Sequence, residues 1–78
     1  MTSSRTQALR TIILEVCSSR PKGIHGTILW NRMPPEYKRV EFDEQLYYLR
    51  DLSWLVCVNK LWWLTDLAKR NWQEHTTI

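Results

Sequence analysis

Residues 39–65, RVEFDEQLYYLRDLSWLVCVNKLWWLT, change their hydrophobic period part-way through, and that change decides the fold. Up to Leu52 the apolar residues Phe42, Leu46, Leu49 and Leu52 recur at three- and four-residue steps, the stripe of an α-helix with one face turned to a core. After Leu52 come two short runs, Trp54 to Val58 and Leu61 to Leu64, rich in β-branched and aromatic residues and separated by Asn59-Lys60. Such runs around a two-residue turn predict a β-hairpin. Asn-Lys lacks the glycine that eases the second left-handed turn position. A two-residue loop pairs Val58 with Leu61, Cys57 with Trp62, Val56 with Trp63 and Leu55 with Leu64. Leu55, Cys57, Trp62 and Leu64 then share one face, and Val56, Val58, Leu61 and Trp63 the other, so both faces are apolar.

A helix, the phrase Leu49-Arg50-Asp51-Leu52-Ser53-Trp54-Leu55-Val56, and a hairpin closing on Trp62-Trp63-Leu64-Thr65-Asp66-Leu67 together resemble the second half of a winged helix-turn-helix domain. The resemblance spans roughly residues 5 to 66. It implies an α+β fold: a small winged helix with a three-helix core, a two-stranded β-hairpin wing and a C-terminal helical segment. Ser53 stands where that family usually has glycine, so Ser53 must take a conformation that glycine adopts more easily, or the helix must stop differently.

Working outward, Thr2, Ser3 and Ser4 offer N-caps for a first helix whose stripe is Ala8, Leu9, Ile12, Ile13, Val16 and Cys17. It should end near Ser19, because Pro21 disfavours helical geometry at Arg20 and Gly23 follows. Ile24 and His25 fit a very short strand against the hairpin, and Gly26 to Met33 a short helix burying Ile28 and Leu29 before Pro34 and Pro35 break it. Glu36 to Val40 turns into the central helix. Asp66 to about Gln73 reads as a last helix with Thr65 as N-cap, docking through Leu67 and Trp72, and His75 to Ile78 as a frayed tail. The expected organisation is a single domain over residues 1–78 with its core in about 4–73.

At 78 residues the chain has room for one small core, and its five tryptophans and three tyrosines supply large buried areas per residue. The cysteines, Cys17 and Cys57, lack CxxC or histidine spacing and are expected to be buried reduced thiols. Neither a signal peptide nor a run of membrane-spanning length is visible, so a soluble, cytoplasmic chain is expected. The net charge of +3 is uneven. Residues 1–40 carry Arg5, Arg10, Arg20, Lys22, Arg32, Lys38 and Arg39 against Glu15 and Glu36, a balance of +5, while residues 41–78 come to −2. A polyanion would prefer the first half.

Catalysis finds little material here. His25 and His75 lie at neither ligand nor relay spacing from cysteine or carboxylate, and Asp43 and Glu44, being adjacent on a helix, diverge. No phosphate-binding glycine loop is present. The expectation is a chain that is not an enzyme and takes no cofactor or metal.

Two binding readings remain. The resemblance implies double-stranded DNA and a role in regulating transcription or replication, with the central helix at the major groove. Lys22, Arg32, Lys38 and Arg39 would then meet phosphates, and Gln45, Tyr47 and Tyr48 the groove, although Glu44 and Asp51 share that helix's outward face. The alternative is a protein–protein interaction module, a partner inhibitor or adaptor, acting through Val56, Val58, Leu61 and Trp63. That face must be covered by the C-terminal helix, by a second copy in a homodimer, or by another protein.

Overall fold

In the computed structural model the backbone is described for residues 4–76 and the side chains for residues 4–71. The elements run α1 (Ser4–Ser18), β1 (Ile24–His25), α2 (Gly26–Asn31), α3 (Arg39–Asp51), β2 (Leu55–Val58), β3 (Leu61–Leu64) and α4 (Asp66–Thr76). The fold is α+β, with helices on a small three-stranded antiparallel sheet of order β1-β3-β2, an arrangement compatible with a winged helix. Ile24 and His25 lie opposite Trp62 and Leu61, which turns the hairpin into the three-stranded sheet.

The hairpin register is the expected one, Leu55 with Leu64, Val56 with Trp63, Cys57 with Trp62 and Val58 with Leu61. Asn59 and Lys60 both have positive φ, 52° and 68°, the left-handed pair that a two-residue turn needs to follow the strand twist. Leu55, Trp62 and Leu64 are buried on the core face. Cys57, on the same face but on the edge strand β2, is exposed although its neighbour Trp62 on β3 is buried; the expectation of two buried thiols holds only for Cys17.

Helix α3 ends in a Schellman motif. The amide of Trp54 donates to the Leu49 carbonyl at 2.9 Å and that of Ser53 to the Arg50 carbonyl at 2.9 Å, with Ser53 at φ 63°. Serine therefore occupies the left-handed position where a glycine was expected to be easier. This turn is tied to the start of α4, since the Thr65 hydroxyl donates to the Ser53 carbonyl at 2.6 Å and accepts from the Ala68 amide at 3.2 Å. Thr65 is thus the N-cap that its position suggested.

Leu9, Ile13, Leu14 and Cys17 of α1 meet Leu29 of α2, Phe42, Leu46 and Leu49 of α3, and Ile24, Leu55, Trp62 and Leu64 of the sheet in one core. Several faces differ from the periodic reading. In α1 Leu14 is buried and Ala8 exposed, so the core-facing stripe is Leu9, Ile13, Leu14 and Cys17. In α2, which ends at Asn31 and not Met33, Leu29 is buried and Ile28 exposed; a six-residue helix has too few turns for a stripe to be read. Leu52 is exposed because it caps α3 after the helical stripe has stopped. Helix α4 docks through the fully buried Ala68, while Leu67 is 49% exposed, and its backbone continues through His75 and Thr76. The docking expected of Trp72 lies outside the described side chains. Among the described residues no helix is long and apolar enough to cross a membrane.

Candidate nucleic-acid interface

Helices α2 and α3 are consecutive, and their junction sets the positions of the basic residues. Arg32 caps the C-terminus of α2 and Lys38 the N-terminus of α3, both exposed. The Lys38 amide donates to Glu41 Oε1 at 3.3 Å, closing the first turn of α3. Between them the chain is pinned by the buried Met33 and Tyr37. Trp30 packs on Phe42 with ring centroids 5.1 Å apart, which fixes α2 against α3. His25 caps α2, its Nδ1 accepting the Thr27 amide at 3.3 Å, so its role is a turn residue.

The carboxylates of α3 are largely answered from within the chain. Arg5 of α1 reaches Glu41 with two hydrogen bonds, Nε to Oε2 at 2.8 Å and Nη2 to Oε1 at 3.0 Å, and donates to the Glu36 carbonyl at 2.6 Å. The hydrogen bond from Arg5 holds the Glu41 carboxyl below its ordinary range. Arg39 pairs with Asp43 one turn on, Nε to Oδ1 at 3.1 Å, with its guanidinium 5.5 Å from the Trp30 ring. Arg50 lies 4.0 Å from Asp51. Among the described acids of α3, Glu44 alone has no ion-pair partner.

These contacts sort the expected residues. Lys22, Arg32 and Lys38 are exposed and make no ion pair with a described residue, and Lys60 adds an exposed cation at the hairpin tip. Arg39 is next to Lys38 but is engaged by Asp43. Tyr47 is exposed, edge-on to Trp62 at 6.4 Å, with the Arg50 guanidinium 4.8 Å from its ring. Gln45 and Tyr48 point the other way. Gln45 is half-buried and accepts from Arg10 Nε at 2.6 Å, and the same guanidinium sits 3.9 Å above the Tyr48 ring. Both therefore face α1. Arg5 and Arg10 act on partners more than thirty residues away, and no local pattern in the sequence marks them.

The second set also holds together. Val58 is 49% and Leu61 37% exposed on the outer face of the hairpin, with Val56 and Trp63 half-buried beside them. Gly23, at φ 104°, backs onto this face: a Cβ there would lie 3.3 Å from Leu61 Cβ and 3.4 Å from Trp63 Cε3. The α1–β1 turn covers part of the outer face, at Leu61 and Trp63, and Val58 stays the more exposed.

Among the described residues no group of three or more histidine, cysteine, aspartate or glutamate side chains converges as metal ligands. Cys17, buried, has its thiol pushed up to about 12 by desolvation, which keeps it protonated and unreactive. No family model, no curated protein and no solved structure matches this chain.

Proposed function

We propose that this chain is a small winged-helix DNA-binding protein of regulatory type, which meets duplex DNA with the α2–α3 pair and the hairpin tip. One observation carries the reading: Lys22, Arg32, Lys38 and Lys60 are exposed without an ion pair to a described residue, while Arg5 and Arg39 neutralise Glu41 and Asp43 on α3. Phosphate contact needs uncompensated cations, and an acidic helix is tolerable at the groove only when its charge is answered locally. Lys38 and Arg32 flank the start of α3 and hold phosphates in this account. Tyr47 and Arg50 are the groove-facing side chains, and Gln45 and Tyr48 support α3 from the α1 side.

The test is fluorescence anisotropy of a labelled mixed-sequence duplex with two charge-matched variants. Arg32→Ala/Lys38→Ala weakens binding at least tenfold, whereas Lys69→Ala/Arg70→Ala on α4 changes it little. Equal losses from the two variants would reduce the interaction to net charge.

The exposure of Val58 and Leu61 favours a second reading, a protein-interaction module acting through the outer face of the hairpin. In that case the uncharged Val58→Asn abolishes association with a partner or second copy and leaves DNA affinity unchanged. Val58 suits this test because its exposure lets the variant fold.

A further inference from the structure

Between α1 and the C-terminal half of α3 lies a cleft of about 470 Å³ that neither binding reading uses. Leu14 and Leu49, both buried, form its floor, and Trp54 and the exposed Leu52 close one side. The Schellman turn at Ser53 swings Leu52 and Trp54 to this position, so the cleft follows from how α3 ends. Its volume is in the range of small-molecule sites, and its lining is mixed: Leu14, Leu49, Leu52 and Trp54 supply the apolar part and Gln7, Arg10, Thr11 and Tyr48 the polar part.

The charged group among these is Arg10. Arg5, Arg39 and Arg50 each have a carboxylate within 4.0 Å, but no described carboxylate pairs with Arg10. Its Nε is spent on Gln45 and its plane lies over Tyr48, which fixes the side chain and leaves the terminal amino groups without a hydrogen bond to a described residue. A guanidinium held in place, half-buried and without a counter-charge, at the wall of a cleft that also offers Leu14, Leu49 and Trp54, suits a carboxylate that carries an apolar body.

We propose that this cleft binds a small amphipathic carboxylate, an aromatic or branched aliphatic acid. Its carboxylate sits on the terminal nitrogens of Arg10 and its apolar body lies on Leu14 and Leu49 between Tyr48 and Trp54. Gln45 is the positioning residue for Arg10. The site does not depend on the DNA reading, and its test contains no DNA.

The experiment is a titration of the isotope-labelled full chain with 2-naphthoate and, separately, with its uncharged analogue 2-naphthylmethanol, followed by amide and indole NMR shifts. Naphthoate is expected to shift the amides of Arg10 and Leu52 and the Trp54 indole, and to bind at least fivefold more tightly than the alcohol. Arg10→Gln removes that preference. Leu52→Glu, a change at an exposed rim position, weakens naphthoate at least fivefold while the spectrum stays dispersed, and it decides the matter should Arg10→Gln unfold. Equal affinity for acid and alcohol, shifts centred on Val58 and Leu61, or no shift at all would each overturn the proposal.

Discussion

Ser53 is the residue on which the passage from helix to sheet turns, and it pays a conformational cost that is visible in its φ of 63°. A left-handed conformation costs an L-residue about 1–2 kcal/mol, partly offset in a Gly variant by glycine's extra freedom in the unfolded chain. Ser53→Gly is therefore expected to stabilise the fold by about 0.5–1 kcal/mol. Ser53→Val is expected to destabilise it by about 1–2 kcal/mol. Urea denaturation midpoints at constant slope check both. A second residue-scale prediction concerns Glu41, whose folded-state pKa lies below the ordinary carboxylate range because Arg5 donates to it. A carboxyl depressed in the folded state contributes stability that is full above its unfolded pKa and lost as pH falls through the folded one. Thermal midpoints of the wild type should thus fall more steeply than those of Glu41→Gln on going from about pH 5 to about pH 2. Parallel curves for the two proteins would contradict the pairing.

Among the elements, the hairpin and all four helices were legible in the sequence, but the buried faces of α2 and α4 were not, for physical reasons. A two-residue loop admits one pairing, so Asn59-Lys60 determines the opposition of every residue from Leu55 to Leu64. Phe42, Leu46 and Leu49 span two turns of α3, enough to define a face. Helix α2 has six residues, too few to define a stripe, and of the expected pair Ile28 and Leu29 only Leu29 joins the core. In α4 close approach to the core demands a small residue, so Ala68 is fully buried and the larger Leu67 is left outside, the reverse of a reading by hydrophobicity. Ala68→Leu is expected to cost about 1–3 kcal/mol through overpacking. Leu67→Ala should cost less than about 0.5 kcal/mol, since it removes little buried area. Thermal unfolding of the two variants measures the contrast, and similar losses would mean that α4 is seated on a different face.

Across the whole molecule, the charges are arranged by contacts that no window of sequence displays. Glu41 is answered from α1 by Arg5, while Gln45 and Tyr48, read as groove residues from their place on α3, are turned to α1 by Arg10. What the sequence did show was the excess of base in its first half, and Lys22, Arg32 and Lys38 of that half stay exposed. The central claim is that these cations meet phosphates. The most direct test is the slope of log K against log salt concentration for duplex binding, measured for the wild type and for Lys38→Ala. Each phosphate neutralised contributes about 0.9 to the slope on duplex DNA. The account predicts a steep decrease for the wild type and a slope shallower by about 1 for Lys38→Ala, with affinity lowered on every sequence tested. Binding that is indifferent to salt, a Lys38→Ala slope equal to wild type, or no binding even at low salt would contradict it and transfer the function to the apolar face of the hairpin.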